Sequence, residues 1–298
     1  MQPTIVIGYD GLDGGDDALA LGADLARLTR GRLIAVYVLR HVTGRTADIA
    51  QRLLRRPEAD DGALELAVQV ADATADGLAA VATEHEATAI VVGSSDRGGP
   101  GRVLAGGTPE RLLHGAPCPI GLAPRGYTAG ERGIRTIGVA YDGRPPARAA
   151  LKVAAEIADR VRAELHVIVV SGAPISMVVP SQLDAEERAA PIDPERDQND
   201  TRLHDVIDRL VAPGATIVPE TLEGFPEPLL EARSRGLDLL VLGTRGHGPI
   251  GRTLLGSVAT HLVHTAHCPL LVVPRGARRV EAAPAGDRPG VYGRRDGV

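Results

Sequence analysis

Tryptophan is absent from this 298-residue chain, Phe225 is its only phenylalanine, and there are just two cysteines. With so little aromatic surface, stacking on bases or sugar rings cannot be the main mode of recognition. Cys118 and Cys268 are each followed by proline at the opening of an apolar run. A small buried hydrophobe fits that context better than a disulfide partner, and two cysteines make no disulfide framework. No segment reaches about 18 continuous apolar residues, and no basic stretch followed by an apolar core opens the chain, so neither a membrane span nor an export signal is expected and the protein reads as cytoplasmic. A large excess of one charge is also missing: 33 basic against 38 acidic residues leave a net charge of −5, which carries no general nucleic-acid footprint. What remains is an aliphatic stock of Ala, Val, Leu and Ile within a 44% hydrophobic content. That stock suits close-packed helices laid on β-branched strands, in a chain long enough for two domains.

The chain repeats itself. Ile5-Val6-Ile7-Gly8-Tyr9-Asp10-Gly11 returns as Ile137-Gly138-Val139-Ala140-Tyr141-Asp142-Gly143. Ala89 to Gly93 returns as Leu239 to Gly243, and Ala116-Pro117-Cys118-Pro119-Ile120 as Ala266-His267-Cys268-Pro269-Leu270. The last two pairs are spaced by 150 residues and the first by 132, so the second repeat has gained length after its opening strand. The extra length is expected as a surface loop around 171–199, where Pro, Asp, Glu and Arg break any apolar period. The Gly-rich charged stretch 125–132 marks the boundary, giving domains at 1–126 and 132–274, with 275–298 as an aperiodic tail.

Short apolar runs alternate with helical patterns in each repeat. Strands are predicted near 4–9, 33–39, 64–70, 88–93 and 118–123, then near 134–140, 165–170, 215–219, 238–242 and 268–273. Ala147, Ala150, Leu151, Ala154, Ile157, Ala158 and Val161 recur at helical spacing, and Ala18, Leu21, Leu25 and Leu28 do the same in the first repeat. This order calls for an α/β fold: two tandem doubly wound domains, each a parallel sheet flanked by helices.

The chemistry concentrates in the stretch from Gly243 to Ser257, between a predicted strand and a predicted helix. Gly243, Gly246, Gly248, Gly251 and Gly256 allow close approach of a phosphate to backbone N–H groups, Ser257 offers a hydroxyl, and the helix brings its positive end. Arg245 and His247 lie inside the loop and are candidates to touch the ligand. The stretch lacks the Gly-Lys-Ser/Thr ending of a P-loop. A glycine-rich surface loop capped by Ser257 is the alternative reading. Asp142 ends the first strand beside this loop, at the crevice where winding reverses, although an Asp after a strand also serves as a helix cap.

Gly243, two residues, Gly246, nine residues, Gly256-Ser257 resembles the ATP-binding signature of the universal stress protein family. The resemblance covers 3–123 and 134–273. It implies two five-stranded parallel sheets of strand order 3-2-1-4-5 and binding of an adenine nucleotide, ATP with or without Mg2+. By the same resemblance, Asp142 matches an acidic residue on the adenosine side of the pocket. Val170 matches the position after the second strand whose backbone meets adenine, and Gly243, Gly246, Gly256 and Ser257 match positions around ribose and phosphates.

The first repeat keeps Asp10 and Val38 on the adenosine side, and Gly93 and Gly106 in the loop. Asp96 replaces the second glycine and Gly107 the serine, which disfavours phosphate. Thr108-Pro109-Glu110 reads as an N-cap followed by a first-turn proline and acid, and Arg97 and Arg102 are available to offset the acid. His261, His264, His267 and Cys268 look like a metal cluster on paper, but a buried stripe of Val258, Ala259, Leu262 and Ala266 turns His261 and His264 to another face, so no metal site is expected. His166, in a buried strand, reads as a satisfied sheet histidine.

These features favour a nucleotide-binding stress or signalling module whose occupancy alters conformation or interactions, with at most slow hydrolysis. The alternatives are a slow ATPase or phosphoryl-transfer enzyme, and a structural partner-binding module with vestigial pockets. Besides the nucleotide, the expected partners are the two domains themselves, as an internal pseudo-dimer joined through their apolar fifth strands, then a second copy in a homodimer, and an unidentified protein.

Overall fold

The computed structural model describes residues 2–40, 64–95, 99–128, 133–171, 216–244 and 255–274. The predicted loop after Ser171, the tail, and the residues Asp96, Arg97, Arg245, Gly246 and His247 lie outside them. The first repeat runs β1 (Thr4–Gly8), α1 (Asp13–Thr29), β2 (Arg32–Leu39), β3 (Leu64–Val70), α2 (Thr74–Glu84), β4 (Ala89–Gly93), α3 (Gly107–Gly115) and β5 (Ile120–Ala123). The second runs β6 (Thr136–Ala140), α4 (Pro145–Val161), β7 (Glu164–Ser171), β8 (Thr216–Glu223), α5 (Pro226–Ser234), β9 (Leu239–Gly243), α6 (Ser257–Thr265) and β10 (Leu270–Val273). All ten predicted strands are present; β8 extends past its predicted end at 219 because its whole length pairs with β7.

The strands form one ten-stranded sheet in the order β3-β2-β1-β4-β5-β10-β9-β6-β7-β8. Each repeat therefore has the order 3-2-1-4-5, and within each the neighbours are parallel. The two fifth strands pair antiparallel, Leu270 with Leu122, Leu271 with Gly121 and Val272 with Ile120. Gly121 and Leu271 are equivalent positions of the two repeats, so a pseudo-two-fold axis passes through that pair.

Period-two alternation along the strands splits the core into two layers that both cross the axis. Ile5, Ile7, Val91, Ile137, Val139, Val241 and Leu271 pack under α1 and α4, beside Leu21, Leu25, Ala150, Leu151 and Ala154. Val6, Ile34, Ile90, Leu122, Leu240, Leu270 and Val272 pack under the other helices, with Leu78, Leu112, Leu230 and Leu262. Alanines on α4 let it sit close to the sheet, and this replaces aromatic bulk as the means of filling the core. Cys118 and Cys268 are free and buried in the second layer, and burial pushes the Cys118 thiol up to about 12. α1 and α4 both end on an arginine in the left-handed region, Arg30 at φ 51° and Arg162 at φ 55°.

The linker after β5 is latched rather than free at its start. Gly126 N–H donates to the buried Asp17 carboxylate at 2.9 Å, and the Tyr127 hydroxyl donates to Asp24 at 2.8 Å. Burial raises the Asp17 pKa against the lowering effect of those backbone donors, and burial beside Asp24 raises that of Tyr127. At the far edge of the second repeat, Glu220 on β8 accepts two bonds from Arg233 on α5, both at 2.8 Å. His166 Nδ1 lies 2.6 Å from the same carboxylate, while its buried Nε2 has no hydrogen-bond partner. The nearest carboxylate to Nε2 is that of Glu164 on the same strand, at 3.6 Å, so the histidine is hydrogen-bonded at one nitrogen and faces an acid at the other.

Two predictions follow from these polar clamps. Tyr127→Phe removes a hydrogen bond to a buried carboxylate and is expected to cost about 1 to 2 kcal/mol in urea unfolding. The Glu220 pKa is lowered, first by the Arg233 hydrogen bonds, so its contribution to stability is present above the ordinary carboxylate range and disappears as pH falls through the lowered value. Arg233→Gln should therefore be less stable than the parent near about pH 7, with the gap closing below about pH 4, as read from paired unfolding curves.

Candidate functional site

In each repeat the first and fourth strands are neighbours where winding reverses, and the following helices leave on opposite faces. This splits the chain at the C-terminal ends of the strands and opens a crevice. In the second repeat the crevice holds about 220 Å³ and is lined by Asp142, Arg144, Val170, Gly243, Gly256 and Val258 among others. Four of the sequence-predicted residues, Asp142, Val170, Gly243 and Gly256, thus come together from four separate segments. Ser257 is the exposed first residue of α6, next to Gly256.

Tyr141 N–H donates to the Ile168 carbonyl at 2.9 Å. Bonding direction alternates along a parallel ladder, so two residues further on the N–H and C=O of Val170 face the same side, past the end of β6 and into the crevice. Val170 lies inside β7 rather than after it, because β7 stays paired with β8 through Ser171. Asp142 is exposed, and its Oδ1 accepts the Arg144 N–H at 3.0 Å while Oδ2 lies 3.3 Å from the Arg144 guanidinium. The carboxylate therefore shapes the turn before α4 without capping the helix, whose N-cap is Arg144. Arg144 is a lining residue that sequence reasoning passed over; the signal was its position two residues after Asp142, where the first repeat has Leu12.

Helix starts decide where an anion can sit. α4 begins with Pro145 and Pro146, which have no N–H to offer. α6 begins after Gly256 with no side-chain cap, leaving the amides of Ser257, Val258 and Ala259 at its positive end. The reading of Ser257 as the cap is thereby corrected: Gly256 takes the extended N-cap conformation, and the serine enters the helix. Gly243 has a structural reason to be glycine apart from any ligand, since a Cβ there would collide with the Pro146 carbonyl of α4.

The first repeat builds the matching crevice, about 350 Å³, and all four predicted residues, Asp10, Val38, Gly93 and Gly106, line it. Gly106 is the N-cap of α3 and Thr108 is already inside the helix, so the predicted Thr108 cap is wrong by two residues; glycine enters the extended cap conformation easily and the threonine makes no cap bond. Arg102 is engaged by the second repeat. Its Nη2 reaches across the axis to Glu231 Oε1 at 3.1 Å and the Thr265 carbonyl at 3.4 Å, while Val103 and Ala105 donate backbone bonds to Ala266 and Val263, each at 2.8 Å.

His261 of α6 and His267 just after it sit around that same seam. His261 Nε2 lies 2.8 Å from Glu231, holding the glutamate below the usual carboxylate range, and burial lowers His267. The buried stripe is Ala259, Leu262 and Val263; Val258 is half-buried because it faces the crevice. Among the described residues no three His, Cys, Asp or Glu side chains gather as a metal site, and no helix is long and apolar enough to cross a membrane.

The sequence model of the universal stress protein family matches residues 1–123 and 133–274, and the chain belongs to that family. A universal stress protein of Mycobacterium tuberculosis is 27% identical over 292 residues, covering 91% of this chain and 99% of that protein. Among solved structures, a universal stress protein from Archaeoglobus fulgidus superposes with a TM-score of 0.70 at 17% identity, over 92% of this chain and 98% of that one. A Pseudomonas aeruginosa protein superposes with a TM-score of 0.64 at 19% identity, over 92% and 93%. These likenesses establish the fold. One other universal stress protein has been solved in complex with cAMP.

The glycine at the end of the fourth strand gives a sharp prediction. Gly243→Ala is expected to destabilise the chain by about 1 to 3 kcal/mol, because backbone rather than a side-chain tip must move. Gly93→Ala should behave alike, since its Cβ would meet the Gly14 carbonyl of α1. Thermal unfolding of both variants checks this, and two unchanged melting temperatures would contradict the close approach.

Proposed function

We propose that the second repeat is the ATP-binding element of a stress-response or signalling module, and that nucleotide occupancy alters its conformation or its interactions. The observation that carries this reading is the convergence of Asp142, the Val170 backbone edge, Gly243 and the uncapped start of α6 on one crevice. In it, the Val170 N–H and C=O pair with a ring nitrogen and the exocyclic amine of adenine. Asp142 accepts from ribose hydroxyls. The phosphates lie at the α6 amides and the Ser257 hydroxyl, with Arg144, Arg245 and His247 as further donors and Gly246 giving the loop room. Mg2+ enters as the counter-ion of the phosphates, since Asp142 is the sole carboxylate among the described lining residues and is engaged by Arg144. The domains divide as 1–126 and 132–274, form an internal pseudo-dimer, and work in the cytoplasm.

The grounds for holding over turnover lie in the described lining, which supplies binding groups and a single carboxylate. Contacts with α5 and α6 give occupancy a route to the seam, because Leu230 and Val258 line the crevice while, on the same two helices, Glu231 holds Arg102 and His261 holds Glu231.

Calorimetric titration of the full chain with ATP tests the proposal, with about one equivalent bound. Asp142→Asn is expected to weaken ATP about tenfold, and Ser257→Ala by about 1 kcal/mol. Gly246→Asp should weaken it through like charge beside the phosphates. Absence of ATP binding, or affinity indifferent to all three substitutions in folded protein, would overturn the reading.

A further inference from the structure

The two crevices share one half of their chemistry and differ in the other. In the first repeat, Tyr9 N–H donates to the Val36 carbonyl at 3.0 Å, so by the alternation of a parallel ladder the N–H and C=O of Val38 open into the crevice. Asp10 stands beside them, exposed, and its Oδ1 accepts the Leu12 N–H at 3.0 Å. The donor–acceptor edge for a base and the carboxylate for a vicinal diol are thus both kept.

Gly93 and the extended, uncapped helix start at Gly106 are kept, but the side chains that would favour a phosphate are changed. Leu12, 58% exposed, stands where the second repeat has Arg144. Gly107 stands where Ser257 is, Pro109 removes an amide from the first turn of α3, and Glu110 adds a negative charge to that turn. The first turn of α1 carries Asp13 and Asp16. Arg102, the one described cation of the loop, is drawn across the seam to Glu231 and Thr265. Among the described residues lining this crevice there is no lysine or arginine, while Tyr37, Thr74, Ser95 and Thr108 bring hydroxyls. Among the described lining residues one carboxylate thus stands without a compensating cation, and such a field disfavours a polyphosphate and tolerates a neutral, hydroxyl-bearing ligand.

We propose that the first repeat's crevice is a second, separate binding site, selective for an uncharged purine nucleoside with an exocyclic amine, such as adenosine, over its phosphorylated forms. The choice of base rests on the reading given above for the second crevice; the rejection of phosphate rests on the first repeat's own residues. The tandem chain then holds two sites of one fold, one for the nucleotide and one for the nucleoside that remains when its phosphates are lost.

The test is calorimetric titration of adenosine into the full-length chain already saturated with ATP, so that the second crevice is closed to it. About one equivalent of adenosine should bind. Asp10→Asn, which retains the oxygen that accepts the Leu12 N–H, should weaken adenosine about tenfold and leave ATP affinity unchanged. Thr74→Trp, at an exposed lining position, should block adenosine without disturbing the core, and the melting temperature of each variant verifies folding. The proposal is overturned if ATP-saturated protein takes up no adenosine, if adenosine affinity ignores both substitutions, or if a second equivalent of ATP binds and Asp10→Asn removes it. That last result would leave the nucleotide reading of the second crevice intact. Conversely, adenosine binding that depends on Asp10 in a chain that binds no ATP would sink the nucleotide reading and support this one.

Discussion

The antiparallel pairing of β5 with β10 is the contact on which the arrangement of the molecule depends. A parallel five-stranded sheet ends on an apolar fifth strand whose unpaired amides invite aggregation unless something covers them. Here each repeat supplies the cover for the other. The same pairing makes both core layers continuous across the axis, so α1 packs on α4 and neither repeat has a core of its own. It also brings the loop of the first repeat onto the end of α6, where Val103, Ala105 and Arg102 bind the second repeat through backbone and side chain.

The crevices are consequences of the topology rather than of any one residue. Reversal of winding between the first and fourth strands opens a gap in both repeats, and the terminal glycines Gly93 and Gly243 let the opposite helix close up against it. What fills the gap is then decided by a handful of side chains at its rim. An arginine or a leucine two residues after the aspartate, a serine or a glycine at the helix start, and a proline inside the first turn change the local charge without altering the backbone. The first repeat thus keeps the crevice of the second with different electrostatics.

Much of this was legible in the sequence. Strand positions came from apolar runs, the helix faces from alanine and leucine spacing, and the repeat from Tyr-Asp-Gly and the two Cys-Pro pairs. The strand order came from family resemblance. Asp142, Val170, Gly243 and Gly256 stand out in the sequence by their positions at strand ends and in the glycine spacing of the loop. Three things were not legible. Helix starts were misplaced by one or two residues, because Thr108 and Ser257 look like caps while the flexible glycines before them take the cap conformation. Arg102 looked like a loop cation, and its partner Glu231 is 129 residues away across an axis that no local pattern reveals. The structural reason for Gly243, a carbonyl of Pro146, is likewise a tertiary fact; the sequence suggested phosphate approach instead.

Joining the repeats in one chain has a physical consequence that a symmetric homodimer of the same sheet would not allow. On the axis of a homodimer the two facing residues must be identical. Here Gly121 faces Leu271, and the small residue leaves the α1 and α4 layer with room for the large one. A Cβ on Gly121 would already lie 3.1 Å from Val91 and 3.7 Å from Leu21. Two leucines would overfill that layer and two glycines would leave a void, so the mixed pair packs the axis better than either symmetric choice. The same freedom extends outward from the axis. Arg102 crosses to Glu231, and the first crevice is released from the charge pattern that the second retains. Covalent linkage fixes which repeat is which, and that distinction is the condition for the crevices of two copies of one fold to carry different side chains.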